Sequence, residues 1–330
     1  LAIAAVLACM LFAALSGSSP ATVAAVGSIA IAGMVRSGYP QAFGAGIVCN
    51  AGTLGILIPP SIVMVVYAAA TEQSVGKLFM AGVVPGLLMA TGMVVLIVVK
   101  ALREKPQRES RAGWRERLSA LREGVWALLA PVVVLGGIYG GAFTPTEAAV
   151  AACVYALLVG VVIERRLRWR DLPGIVSRAM SISGVVMAVV AVSSGFGFLV
   201  AQEQLATKLA LWLSTHFESR WSMLLALNLG FFAMAAVMDE IAIMVILGPM
   251  LISIANQFGV DPIHFGAMIV TNVAIGMATP PIGYCLFVGM AIGGVGLWPL
   301  SRAIAPFILM MLVVLMLVTY VPSVALLLIQ

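Results

Sequence analysis

Residues 43–60 read FGAGIVCNAGTLGILIPP, and residues 265–281 read FGAMIVTNVAIGMATPP. Both follow Phe-Gly-Ala-x-Ile-Val-x-Asn with Gly-x-x-x-Pro-Pro. The register holds from Phe43 and Phe265 to Asn50 and Asn272. It slips by one residue before Gly55 and Gly276 and the pairs Pro59-Pro60 and Pro280-Pro281. Proline lacks an N–H and clashes with the carbonyl four residues earlier, so each pair predicts a broken helix. Ile58 and Thr279, just before the prolines, are pushed out of helical geometry. The breaks should strip the carbonyls of Gly55 and Ile56, and of Gly276 and Met277, of their donors. Thr279 adds a hydroxyl at the second break. Clustered oxygens suit a hard cation, and paired broken helices in two halves of a membrane protein point to a transporter binding site.

Composition sets the class. The chain has 330 residues, 62% hydrophobic and 9% charged, with mean hydropathy +1.14. Apolar runs of about 20 residues recur along it, enough to cross a bilayer as helices. The predicted fold is an all-α polytopic membrane protein. A transmembrane barrel would need alternating polarity, which is missing. Apolar segments fall at 1–15, 21–35, 41–70, 81–99, 125–140, 146–163, 174–200, 221–238, 241–256, 263–294 and 303–328. Cys9, Cys49, Cys153 and Cys285 lack CxxC spacing and read as membrane-buried hydrophobes. His216 and His264 read as interfacial, without metal-ligand spacing.

Charge gives a topology. Lys100 to Glu123 holds eight basic residues against four acids, and Arg165, Arg166, Arg168 and Arg170 form a second cluster. The positive-inside rule makes both cytoplasmic. Tracing outward from these loops leaves only Lys77, Lys208 and Arg220 on the far side. Residues 203–217 read as a surface helix, since Gln202, Glu203, Gln204 and Lys208 are costly in lipid. Five crossings then separate Arg36 from Arg220, an odd number. The duplicated unit therefore enters from opposite faces, as an inverted-topology repeat. The organisation expected is a first repeat over 1–99 (hairpin 1–36, broken helix 41–70, span 81–99) and a basic loop over 100–124. Scaffold and connecting spans follow over 125–220. A second repeat covers 221–330 (hairpin 221–256, broken helix 263–294, span 303–328).

Each repeat begins with two apolar arms joined by a polar tip, a pattern expected of a re-entrant hairpin. The tips are Ser16-Gly17-Ser18-Ser19-Pro20 and Met238-Asp239-Glu240. Ser19-Pro20 reads as an N-cap followed by proline at the first helical position, and Asp239 as the cap of the second arm. Helix N-termini aimed inward suit an anionic group such as a carboxylate. Intramembrane acids usually mark ion or substrate paths, which makes Asp239 a coupling-ion candidate. Gly141 to Glu147 reads as a structural turn into a helix, capped by Thr144 or Thr146. The chain lacks a GxxxxGK[ST] loop, HExxH, GxSxG and the Rossmann fingerprint. Ser18 sits in a loose serine-nucleophile context, so an intramembrane hydrolase is one alternative. A purely structural subunit is another.

Beyond the repeat, many ordered motifs carry a resemblance. They include Ser16-Gly17-Ser18-Ser19-Pro20-Ala21-Thr22, Gly38-Tyr39-Pro40, Gly55-Ile56-Leu57-Ile58-Pro59-Pro60-Ser61 and Ala81-Gly82-Val83-Val84-Pro85-Gly86. Thr144-Pro145-Thr146-Glu147, Asp261-Pro262-Ile263-His264-Phe265-Gly266 and Thr279-Pro280-Pro281-Ile282-Gly283 continue the series. Over its whole length the chain resembles the large membrane subunit of the tripartite ATP-independent periplasmic (TRAP) transporters. The resemblance implies a bacterial inner-membrane permease, not an enzyme, that imports a small organic anion with Na⁺ as coupling ion. C4-dicarboxylates, sialic acid or similar carboxylates are the implied cargo. It implies a periplasmic substrate-binding protein and a small four-helix membrane subunit as partners, and an elevator-type motion. A related symporter working without a binding protein is the runner-up.

Carried over residue by residue, the resemblance implies two Na⁺ sites. One uses Ser16, Ser18 and Ser19 with Gly52 and Gly55; the other uses Asp239 with Gly276, Met277 and Thr279. Ser18, Asn50, Asn272 and Thr279 are the expected substrate-binding residues. Two departures stand out. The family's early scaffold helices would precede Leu1. Ala235 stands where the family usually has glycine, which would alter ligand geometry at the second tip.

Overall fold

The computed structural model describes residues 1–104, 113–217 and 219–329. Among them the chain is helical, without strands. It divides into two compact units. One joins Leu1–Arg108 to Ser194–Gln330, and the other is Glu109–Ser193.

The first unit contains both stretches expected to be repeats. The first repeat is α1 (Ala2–Ser16), α2 (Ser19–Arg36), α3 (Gln41–Gly52), α4 (Ile62–Thr71) and α5 (Val75–Glu104). In the second unit lie α6 (Trp114–Tyr139), α7 (Pro145–Leu157) and most of α8 (Leu172–Gln202). The chain then returns through α9 (Leu205–His216) to the second repeat. This is α10 (Arg220–Ala235), α11 (Glu240–Gln257), α12 (Pro262–Gly276), α13 (Tyr284–Gly293), α14 (Leu297–Tyr320) and the short α15 (Pro322–Leu326). Among the described residues, five helices are long and apolar enough to cross a membrane, and five shorter ones are apolar.

The two repeats pack by the same rule. In the first, α1 and α2 lie on each other and on α3; in the second, α10 and α11 lie on α12. Across the repeats α2 packs on α13 while α11 packs on α4, and α14 packs on α3 while α5 packs on α12. Each contact thus has its counterpart when the repeats are exchanged. At the centre, every residue of α3 from Phe43 to Gly52 is buried, as is every residue of α12 from Ile263 to Gly276. A helix apolar all round belongs in a core. Small residues let these helices approach, as van der Waals packing in lipid requires. A Cβ on Gly46 would lie 3.3 Å from Ala303 of α14, and one on Gly44 3.5 Å from Met34 of α2.

Some expectations are corrected here and others hold. The basic loop is shorter than 100–124: α5 runs to Glu104 and α6 starts at Trp114, while the residues between lie mostly outside those described. Trp114 to Glu123 is rich in Leu, Arg, Glu and Ala, all good helix formers. Glu116 also accepts the Gly113 N–H at 3.0 Å and closes the helix start. His264 is buried inside the protein, with 1% of its surface exposed. Cys9, Cys49 and Cys285 are buried, whereas Cys153 lies on an exposed face of the second unit. Residues 205–216 are helical, and this helix packs on α11. In the second unit, Thr144 caps α7, with Glu147 accepting the Thr144 N–H at 2.8 Å.

The position of His264 has a local cause. Pro322 follows Val318 by four residues and offers no N–H to its carbonyl. His264 Nε2 fills that vacancy by donating to Val318 O at 2.8 Å, which ties α12 to α14. Its Nδ1 is buried without a partner. Asp261 caps the same turn through Ile263 N (2.8 Å) and His264 N (2.9 Å), and the Tyr67 hydroxyl donates to Pro262 O at 3.0 Å. Replacing His264 with Ala leaves the Val318 carbonyl unsatisfied, at a cost of about 1–3 kcal/mol. Thermal unfolding in detergent should show a lowered midpoint for His264→Ala. His264→Gln, which keeps a donor, should recover part of the loss.

Candidate functional site

The serine-bearing turn closes α1 with Gly17 in the left-handed region (φ 61°), where glycine carries no steric penalty. Gly17 O then accepts the Ile62 N–H at 3.3 Å, just past the first proline pair. A Cβ on Gly17 would lie 2.7 Å from Pro60 O. Gly55 is equally tight: a Cβ there would sit 2.8 Å from Ser18 C, Ser18 O and Ser19 N. Backbone thus touches backbone where the hairpin tip meets the break. The Ser19 hydroxyl, fully buried, donates to Thr53 O at 3.3 Å, and Gly52 lies against Ser19 O and Val23.

Ser18, not Ser19, is the N-cap residue of α2. It makes no side-chain cap bond, and Pro20 stands one position later than expected. The Ser18 carbonyl accepts from Ser16 Oγ (3.2 Å) and Thr22 Oγ1 (2.8 Å), so the turn is held by its own hydroxyls.

The second repeat repeats the seat with other side chains. Ile282 N, just past the second proline pair, donates to Ala236 O at 3.3 Å. Gly276 presses on Ala235; a Cβ on Gly276 would lie 2.8 Å from the Ala235 carbonyl carbon. The Ala235 methyl therefore occupies space that Gly276 leaves empty. Asp239 caps α11 as expected, its Oδ1 accepting from Ile241 N (2.9 Å) and Ala242 N (3.3 Å). The tip–break contact runs through Ala235 and Ala236, with Asp239 three residues beyond. Glu240 is buried beside it, 8% exposed.

Both breaks leave helical geometry at Ile58 and Thr279, and both proline pairs carry a cis peptide. The first is wider than the prolines alone demand: α3 stops at Gly52, and Thr53–Ile56 form a 3₁₀ turn. Among the described residues, no donor reaches Gly55 O or Ile56 O. The second break corrects the expectation. Gly276 O accepts from Thr279 N at 2.9 Å, and Met277 O from Cys285 N at 3.0 Å. The chain folds back there because Gly283 can lie against the Met277 carbonyl, where a Cβ would be 2.5 Å from that oxygen. Thr279 Oγ1 donates to Ile275 O at 2.7 Å, which leaves its lone pairs free.

Asn50 and Asn272 hold equivalent places on α3 and α12, and both are fully buried. Asn50 Nδ2 donates to Gly46 O at 2.9 Å; Asn272 Nδ2 reaches Asn228 O and Oδ1, each at 2.9 Å. In both residues Oδ1 has no partner. Asn228, which bonds Thr319 Oγ1 at 3.0 Å, joins α10 to α12 and α14. It escaped the sequence reading, although a lone Asn inside the apolar run 221–238 was the available signal.

The structure thus brings Ser16, Ser18, Ser19, Gly52, Gly55, Pro59 and Pro60 into one contact. It brings Gly276, Met277, Thr279, Pro280 and Pro281 into another, beside the Asp239 turn. Among the described residues no group of three His, Cys, Asp or Glu could hold a metal. The donors on offer are oxygens.

The family described as "Tripartite ATP-independent periplasmic transporter, DctM component" matches residues 1–324. The chain belongs to this family. It is 53% identical over 326 residues to the C4-dicarboxylate TRAP transporter large permease protein DctM of Pseudomonas aeruginosa, covering 99% of this chain and 76% of that one. The isethionate TRAP transporter permease protein DctMQ of Oleidesulfovibrio alaskensis is 40% identical, over 98% of this chain and 51% of its own length. The sialic acid TRAP transporter large permease protein SiaM of Vibrio cholerae is 33% identical, over 98% and 76%. The chain is therefore a multi-pass membrane transport permease and not an enzyme.

The glycine contacts yield a test. Gly55→Ala and Gly276→Ala put a methyl into backbone atoms that cannot swing aside. Each should lower uptake by about tenfold or more while the protein still reaches the membrane. Gly33→Ala, with nothing within 4 Å, should leave uptake unchanged. Uptake into cells, normalised to membrane content, reads the difference.

Proposed function

We propose that this chain is the large permease subunit of a Na⁺-coupled secondary transporter in the bacterial inner membrane, importing a small organic anion. A C4-dicarboxylate is the first choice, because the 53%-identical relative is named for that cargo; sialic acid and related carboxylates follow. A periplasmic binding protein would deliver the anion. A small membrane subunit would complete the complex, in keeping with the DctMQ name of a relative half covered by this chain.

One observation carries this reading: in each half the hairpin seats directly on the glycine four residues ahead of the proline pair, through the Ser18–Ser19 backbone at Gly55 and through Ala235 at Gly276. Each seat would gather oxygens deep in apolar sequence. At the first they are the Gly55 and Ile56 carbonyls with the Ser16 and Ser18 hydroxyls. At the second they are Thr279 Oγ1 and the Asp239 carboxylate. Oxygen-only donors fit a hard monovalent cation, and the neighbouring Asn50 and Asn272 Oδ1 atoms, buried without donors, suit a partner from outside the chain. The helix N-termini at the tips would face the carboxylate of the cargo. Ser18, Asn50, Asn272 and Thr279 are the residues proposed to touch it.

In the bilayer we read 1–36 and 221–256 as re-entrant hairpins of an inverted-topology repeat. The reciprocal packing of α2 on α13 and α11 on α4 supports this. Residues 125–220 would supply scaffold and connecting spans, against which the repeats move as an elevator. The cation role is tested in proteoliposomes holding the complete complex. Wild type should import succinate only with an inward Na⁺ gradient. Ser18→Ala and Thr279→Ala should each raise the Na⁺ concentration for half-maximal uptake several-fold. An unchanged Na⁺ response in both variants would remove these residues from the ion sites.

A further inference from the structure

A groove of about 330 Å³ runs along the outer face of α2, bordered by the start of α3 and the end of α13. Its walls are mostly apolar, with Ile31, Ala32, Val35 and Ile292 beside the single hydroxyl of Ser28. Its far end is polar, formed by Arg36 and Gln41. Gln41 Nε2 donates to Gly293 O at 2.6 Å and so links α3 to α13 there. Arg36 is exposed and is the one charge in the lining. Among the described residues no carboxylate pairs with it. The surface alongside is also apolar, with Ile29 78% exposed.

This end of the unit has the marks of a membrane interface. Lys100 Nζ lies 3.6 Å from the ring centroid of Phe43, which stacks on Tyr39. Basic and aromatic residues collect where helices leave the hydrocarbon. A single unpaired cation at the mouth of an apolar groove matches one class of ligand. A dicarboxylate would bring two charges to one arginine and press the second against Ile31 and Val35, an uncompensated cost. A phospholipid brings one phosphate for Arg36 and a hydrocarbon chain for the walls.

We propose that this groove holds the headgroup phosphate and one acyl chain of an anionic phospholipid. The lipid spans the seam between α2 of the first repeat and α13 of the second. Reading Arg36 as cytoplasmic adds the leaflet in which anionic lipid attracts basic residues. The site is separate from the proposed ion and cargo sites, so its test does not depend on Na⁺ coupling.

The experiment measures retained lipid by native mass spectrometry. Delipidated permease is titrated with phosphatidylglycerol, with phosphatidylcholine, and with phosphatidylglycerol plus excess inorganic phosphate. Wild type should retain phosphatidylglycerol over phosphatidylcholine. Arg36→Gln should weaken that retention about fivefold, the size expected of one basic residue at an anionic surface. Ala32→Trp fills the groove while keeping the charge, and should weaken it as much. Arg103→Gln, on α5 and outside the groove, should not. Equal retention of both lipids, no loss in either groove variant, or an equal loss in Arg103→Gln would overturn the proposal. Displacement by inorganic phosphate would also overturn it, since the site would then take a soluble anion.

Discussion

Two glycines, Gly55 and Gly276, let a helical hairpin rest its turn directly on the backbone of an interrupted helix. A side chain at either position would hold the turn away, because the opposing atoms are Ser18–Ser19 backbone in one case and Ala235 in the other. Once the turns are seated, N–H groups just past the prolines reach back to them, Ile62 to Gly17 and Ile282 to Ala236. The remaining order follows from these two anchors. Each hairpin presents its second arm to the far half of the other repeat, and α5 and α14 close over the helices that are broken.

Such a construction is expensive in lipid unless something answers it. An unsatisfied backbone or amide oxygen in hydrocarbon costs several kcal/mol. Yet the most buried helices of the chain keep Asn50 Oδ1 and Asn272 Oδ1 without donors, one in each repeat. The first break adds two carbonyls without donors. The second instead spends its carbonyls on Thr279 N and Cys285 N and offers a hydroxyl and a nearby carboxylate. The two breaks are therefore matched in sequence but chemically unequal, which would let the proposed ion sites differ in affinity.

Much of this was legible in the sequence, because prolines and period-free apolar runs act locally. The helix breaks, the cap at Asp239, a threonine cap at the start of α7 and the family all follow from residues near one another in the chain. What was hidden depends on partners far away. The Ser19 hydroxyl lies inside α2 and meets Thr53 O, and the Met277 carbonyl is taken by a residue beyond the prolines. His264 is drawn inward because Pro322, far along the chain, leaves Val318 O open. Asn228 carried a signal, a polar residue in an apolar arm, yet its importance lies in Asn272 and Thr319, which no local pattern joins to it.

The most direct test is an anomalous-scattering map of the complete permease crystallised with Tl⁺ in place of Na⁺. The account predicts a peak at each seat, one between the Ser16–Ser19 turn and Gly55–Ile56, the other between the Asp239 turn and Gly276–Thr279. Added Na⁺ should erase both. A map with ordered Tl⁺ elsewhere and neither seat occupied would contradict the claim that the paired breaks exist to hold a cation.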